Sequence, residues 1–345
     1  MAPVPALLIC VVALAVSGCA GSGSSGGSSG SSDPTLTLYN AQHEETTAAL
    51  IKSFTKQTGI KVRVKSDDES VLTAQLEQEG SKSPADLFYT ENSNWLQQLD
   101  NRGLLSKVDA STLSAVPARD SATNGNWVGI SGRFSVMIYN PSKISASQMP
   151  KSVLALAGPQ YKGKLELAPG ETDFWPIITS IERAKGRTAA LNWLKGIKAN
   201  AGSDDNTADN ETLVADVSKG LADMGLINHY YFFRLRDEMG AKNFHAKLSL
   251  FAPRDPGYVE DISGAAILKS SKNQAAAQKF LAFMTSAAGQ RVLANSASFE
   301  YPLAQGVAPN PALPPFAKFE PNSITPAQIG TGLDARDLLR QAGLL

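Results

Sequence analysis

The chain has only two cysteines, Cys10 and Cys19, both within its first 20 residues. The rest contains no thiol, which excludes disulfides, zinc–thiolate centres and thiol nucleophiles there. Histidine is almost as scarce: His43, His229 and His245 are the only three. With so few nitrogen and sulfur donors, zinc and copper are poor candidates for a bound ion. Neither sign of charge is in excess, with 32 basic against 32 acidic residues. The Lys/Arg surplus that nucleic-acid binding requires is therefore missing. Outside the Gly/Ser-rich stretch near the N-terminus, no Gly-x-Ser-x-Gly elbow, P-loop or His-Glu-x-x-His occurs, so common hydrolase and nucleotide-binding signatures are absent there. The enzyme reading that survives is a glycosidase-like acid/base pair of Glu91 and Glu171. What is present is globular: 43% apolar and 19% charged residues over 345 positions, enough for two lobes.

The uncharged N-terminus holds one apolar run, Ala6 to Val16. It is short of the roughly 20 residues a transmembrane helix needs and fits the core of a signal peptide over 1–18. Val16-Ser17-Gly18-Cys19 resembles a bacterial lipobox. That resemblance implies lipidation of Cys19 and a membrane held through a lipid anchor. It lacks the usual basic residues after Met1. The Gly/Ser-rich stretch 19–33 reads as a flexible tether.

From Thr35 onward strand and helix patterns alternate. Thr35–Tyr39 alternates with period two; 44–58 reads as a helix with Ala48, Ile51 and Phe54 on one face, closed by Gly59. Strands follow at 61–64 and 86–89, with a helix around Leu72 and Leu76 between them. This βαβαβ rhythm predicts a parallel sheet covered on both faces. Further strands are expected at 134–139, 164–167, 222–227 and 265–268. Helices are expected at 174–186, 187–199 and 211–220, and around Ala276, Phe280 and Phe283.

Open α/β sheets bind ligands beyond the carboxyl ends of their strands. Those ends read Asn40-Ala41-Gln42-His43, Thr90-Glu91-Asn92, Ala168-Pro169-Gly170-Glu171-Thr172 and Asn228-His229-Tyr230-Tyr231. They carry imidazole, carboxylates and two adjacent phenols. A phenol keeps its proton to about pH 10 and ligates few metals. A strongly Lewis-acidic trivalent ion can displace that proton, and ferric iron is the abundant candidate. Two phenolates, one carboxylate and a neutral imidazole balance three positive charges and supply four of six octahedral positions. Adjacent strand residues face opposite ways, so both phenols reach one ion only if the backbone turns from strand to helix there.

These strand ends, with Ser83-Pro84-Ala85-Asp86-Leu87-Phe88-Tyr89-Thr90-Glu91, Ser131-Gly132-Arg133, Arg254-Asp255-Pro256-Gly257 and Glu300-Tyr301-Pro302-Leu303, resemble bacterial periplasmic ferric-ion-binding proteins. The similarity runs in order from Thr35 to the C-terminus. It implies a two-lobed α/β fold of the class II periplasmic-binding-protein type, with the ligand in the interlobe cleft and no enzymatic activity. Lobe 1 is expected at 34–136 and 261–311, lobe 2 at 137–260 and 312–345. By motif position His43 and Glu91 are metal ligands from lobe 1, and Tyr230 and Tyr231 from lobe 2. Asn210 and Asn228 fall where a synergistic anion, phosphate or carbonate, is held. Arg133 falls at an anion site of some relatives, or else forms a lobe-spanning salt bridge. Gly170-Glu171-Thr172-Asp173 departs from the phosphate-anchoring pattern. Thr172 could still anchor an anion, Glu171 could replace it on the metal, and both acids would repel phosphate. The resemblance further implies an extracytoplasmic monomer that delivers Fe3+ to the ABC permease of an iron importer, with water as the alternative to the anion. The rival reading keeps the fold and binds chelated iron or a phosphonate-like organic anion through Arg133, Thr172, Trp175 and Tyr231.

Overall fold

A computed structural model describes residues 35–201 and 209–345. The signal segment 1–18 and the whole tether 19–33, with Cys19, were read from sequence and lie outside the described residues, as does Pro34. The chain opens with β1 (Thr35–Ala41), α1 (Glu44–Thr58), β2 (Lys61–Ser66), α2 (Glu69–Glu79), β3 (Leu87–Thr90), α3 (Ser93–Asn101) and the short α4 (Ala110–Leu113). β1 pairs in parallel with both β2 and β3, as the βαβαβ pattern requires. α1 stops at Gly59, whose φ of 78° places it in the left-handed region that glycine occupies without Cβ strain. Its Phe54 is buried against Phe280 and Phe283, with ring centroids 4.9 and 5.7 Å away.

β4 (Val128–Tyr139) is buried along its whole length and belongs to two sheets. Its first half, Val128 to Phe134, pairs antiparallel with β8 (Glu260–Ile267), which in turn pairs with β3. Its second half, Ser135 to Tyr139, pairs with β6 (Met224–Asn228) and β7 (Lys247–Ser249). Between these lie β5 (Leu165–Glu166), α5 (Trp175–Lys185), α6 (Arg187–Asn200), α7 (Asn210–Lys219) and α8 (His229–Met239). The strand order is β2-β1-β3-β8-β4-β6-β5, so β4 carries the chain from one α/β sheet into the other. α9 (Gln274–Thr285), α10 (Ala287–Ala294) and β9 (Tyr301–Pro302) complete the first sheet's layers, and α11 (Pro326–Ile329) and α12 (Leu333–Ala342) end the chain. The result is the expected two-lobed α/β architecture.

The predicted elements are present, with longer strands at the junction: β4 begins six residues before the predicted 134, and β8 five before 265. Both extensions run through Gly129-Ile130-Ser131-Gly132 and Ile262-Ser263-Gly264, whose small polar residues hide the strand period. At Gly129 an added Cβ would lie 2.3 Å from the Asp120 carbonyl, so glycine is there because another backbone passes beside it. Among the described residues, no helix is long and apolar enough to cross a membrane.

Candidate metal centre

The register of the first sheet places two side chains. Ala41 of β1 lies opposite Thr90 of β3, so the segments leaving these strands start side by side. His43 caps α1 and Glu91 follows β3; His43 Nδ1 lies 3.2 Å from Glu91 Oε1. Gln42 braces this edge. Its Oε1 accepts from the His43 backbone N–H at 2.7 Å, and its Nε2 donates to Ser263 and Glu300. On the other side of Glu91, Glu69 at the start of α2 accepts from Thr90, from both nitrogens of Asn92 and from Trp95.

The second sheet places the phenols. β6 ends at Asn228, which pairs with Ser135 of β4, and α8 starts at the next residue. The strand-to-helix turn expected from sequence is therefore there. In a helix consecutive side chains are about 100° apart, so neighbours can share a direction. The Tyr230 and Tyr231 rings lie 4.1 Å apart, and both rings are buried. Tyr230 Oη donates to Glu91 Oε2 at 3.0 Å and lies 3.3 Å from Asp173 Oδ2; Tyr231 Oη donates to the same Asp173 oxygen at 2.9 Å. His43, Glu91, Tyr230 and Tyr231 thus converge, and Asp173 joins them.

Asp173 was read from sequence only as an acid that would repel phosphate. It lies in a short 3₁₀ turn ahead of α5 and faces the phenols. Glu171 and Thr172 line the same cleft, a cavity of ≈ 710 Å³, but only Asp173 touches the tyrosines. Nothing in the local sequence separates Glu171 from Asp173. The turn decides which of the two acids reaches the rings.

Arg133 is fully buried on β4 and faces carboxylates. Its Nη2 bonds Asn92 at 2.6 Å and both Asp173 and Asp261 at 3.2 Å. Its Nη1 bonds the Glu91 carbonyl and Ser263, with Glu300 at 3.6 Å. Both terminal nitrogens of Arg133 are thus taken by the protein's own oxygens, while its buried Nε has no hydrogen-bond partner among the described residues. Ion pairs with Asp173 and Asp261 are what form. Asn210 and Asn228 are buried, and neither amide nitrogen has a hydrogen-bond partner among the described residues. Neither lines the cleft.

Electrostatics follow from burial. The Tyr230 and Tyr231 phenols are held well above the usual tyrosine range, first by burial, then by Asp173 and Glu91. Glu91 is raised to about 7 by burial and the neighbouring Asp173, with Arg133 opposing. Glu171 is raised to about 8, again by burial and then Asp173. His43 is lowered to about 4 by burial, although Glu300 pulls the other way. The site thus holds a neutral imidazole and protonated phenols beside several acids.

The spacing suits a small octahedral ion. Bonds of about 2.0–2.1 Å put neighbouring ligand atoms roughly 2.8–3.0 Å apart. The contacts His43–Glu91, Glu91–Tyr230 and Tyr231–Asp173 span 2.9 to 3.2 Å. Among the described residues no three His, Cys, Asp or Glu side chains could hold a metal by themselves, so such a site depends on the phenols.

Comparisons with known proteins bear on the family to which the chain belongs. The family model for the bacterial extracellular solute-binding protein matches residues 40–291. The chain is 39% identical over 314 residues to the Fe(3+)-binding periplasmic protein of Serratia marcescens, covering 91% of this chain and 92% of that one. It is 38% identical over 311 residues to the major ferric iron-binding protein of Neisseria meningitidis serogroup B, covering 90% and 93%. Among solved structures, iron-bound HitA from Pseudomonas aeruginosa superposes with a TM-score of 0.85 at 40% identity, covering 90% of this chain and 99% of that one. Solute-binding proteins carry cargo and catalyse nothing, and these two α/β sheets joined at β4, with a tyrosine-lined cleft, belong to the bacterial extracellular solute-binding family, among its ferric-ion-binding members.

Proposed function

We propose that the protein captures ferric iron in the cleft between its two sheets and hands it to the permease of an ABC importer. The observation that carries this reading is the meeting of both α8 phenols with Glu91 and Asp173 beside His43. The ligand set is His43, Glu91, Tyr230 and Tyr231, extended by Asp173. With both phenols ionised, the two tyrosines and two carboxylates carry four negative charges. Ferric iron supplies three positive charges and the Arg133 guanidinium, bonded to Asp173 Oδ1, the fourth. Each proton that leaves a phenol is replaced by a cation that stabilises the phenolate.

Five protein donors leave one octahedral position for water or one oxygen of an anion. Asp173, with Glu171 close by, supplies negative charge where a phosphate would bring its own, so water or a small anion such as carbonate fits better. The acid-lined cleft also disfavours the organic-anion cargo. Capture brings together the lobes 34–136 with 261–311 and 137–260 with 312–345, because His43 and Glu91 stand on one and the tyrosines on the other. The lipidated Cys19 and its tether would keep this monomeric catcher at the outer face of the cytoplasmic membrane.

The test is spectroscopic. Ferric citrate added to residues 34–345 should produce a tyrosinate-to-iron charge-transfer band in the visible. The band should be lost in the double variant Tyr230→Phe/Tyr231→Phe, with affinity reduced by more than roughly 10³-fold, beyond the 10–100-fold typical of outer-sphere partners. A folded wild-type protein that develops no band would remove iron as the cargo.

A further inference from the structure

Arg234 stands one helical turn beyond Tyr230 on α8, so the two side chains project from the same face. Its Nη1 lies 3.1 Å from His43 Nδ1 and 3.4 Å from Nε2, reaching from the second sheet's helix to the first sheet's edge. Glu211, at the start of α7, is 3.6 Å from the same nitrogen. Arg234 keeps 20% of its side chain exposed and lines the cleft. It is therefore not locked in place as Arg133 is.

A guanidinium only donates hydrogen bonds and cannot be deprotonated in a protein. Its near-equal distances to the two ring nitrogens set it against the imidazole rather than on one lone pair, and two cations this close would repel, so the contact favours a neutral ring. A metal ion bound by His43 requires the same neutral ring. Glu91 Oε1 lies 3.2 Å from Nδ1, the ring nitrogen nearest Arg234. One nitrogen cannot serve a donor, an acceptor and a metal together.

We propose that Arg234 is a tethered cation that competes with ferric iron for His43 and so sets the affinity of the cleft. The proposal rests on the iron-binding reading above. Iron entry displaces the guanidinium from the imidazole toward Glu211, where its charge stays paired. Iron leaves more easily because Arg234 is at hand to take its place on the ring. Arg234 also reaches across the cleft to His43, which favours approach of the two walls. The affinity given up on binding is thus the counterpart of easier delivery.

The experiment is a double-mutant cycle on residues 34–345, reading ferric affinity by competition with citrate and following the visible band. Arg234→Gln should bind iron about tenfold more tightly, the size expected for release of one charge-assisted hydrogen bond. Arg234→Lys, which keeps the charge but loses the planar reach, should fall between. In a His43→Gln background the gain from Arg234→Gln should vanish, because the ring that holds the guanidinium beside the metal is gone. Unchanged or weaker iron binding in Arg234→Gln would overturn the proposal. So would a gain that persists undiminished without His43, which would make Arg234 a source of field alone. Failure of the wild-type protein to bind iron is a separate result that strikes the functional reading itself.

Discussion

His43 and His229 are both buried imidazoles beside aromatic rings, and both are held neutral, yet they are built for different work. His229 is closed on both sides. Its Nδ1 accepts from the Phe134 backbone N–H at 3.1 Å, and its Nε2 donates to the Phe299 carbonyl at 3.0 Å. It stitches α8 to β4 and to the segment before β9, and burial lowers it to about 3. His43 has no such pair of backbone partners. Its Nδ1 lies 3.2 Å from Glu91 Oε1 and 3.1 Å from Arg234 Nη1, an acceptor and a donor beside one nitrogen. A histidine whose two nitrogens are both satisfied is mortar, whereas one whose nitrogens have no backbone partner can take a metal. Neighbouring sequence points the wrong way here, since His229 is the one beside the tyrosines.

The sharpest break between them is stability. His229→Ala strands two buried backbone groups and opens a cavity, so it should cost about 3–4 kcal/mol. At roughly 2–4 °C per kcal/mol, Tm should fall by about 10 °C in calorimetry, while the folded fraction still develops the visible band. Loss of the band at unchanged Tm would reverse the roles assigned here. His43→Ala should do the opposite, lowering ferric affinity about 100-fold with Tm of the iron-free protein changed by no more than a degree or two. Gln42→Ala frees the His43 backbone N–H and should cost about tenfold in affinity by the same competition measurement. An affinity equal to wild type would show that α1 alone fixes the imidazole.

The smallest effect is in pH. Both histidines bind a proton more readily unfolded, near 6.5, than folded, at about 3 and about 4. Their contribution to stability is full above 6.5 and is lost as pH falls toward those values, with a slope of at most about 1.4 kcal/mol per unit for each. Glu91 and Glu171, raised to about 7 and about 8, act with the opposite sign. Their contribution is full below the ordinary carboxylate value and is lost as pH rises through 7 to 8. Urea titrations of the iron-free protein should therefore place maximum stability on the acid side of neutrality, and His229→Gln should flatten the acid limb. Stability rising steadily from pH 6 to 8 would contradict the raised carboxylates.

Much of the fold was legible because it is local. Period-two alternation over Thr35–Tyr39, the apolar face of α1 and the glycine that ends it are read within one or two turns of chain. The turn into α8 was foreseeable as well, from a buried strand running into Asn228 and a helix-forming stretch. The chemical kinds of donor were also visible, since phenols, carboxylates and imidazole stand at strand ends with no thiol to compete.

Tertiary structure decided the rest, because the deciding contacts join residues far apart in sequence. Glu91 and Tyr230 are 139 residues apart, and Arg133 and Asp261 are 128 apart. The antiparallel junction of β4 and β8 escaped the strand reading because small polar residues blur its period, while long-range pairing holds it together. Whether Glu171 or Asp173 meets the phenols depends on one 3₁₀ turn, and whether Arg133 binds an anion depends on three carboxylates arriving from other segments. Arg234 reaches His43 only when two separate sheets face each other across the cleft. Composition and local periodicity determine which elements form and what chemistry they can carry, whereas the packing of two sheets on a shared strand determines which of those groups become one site.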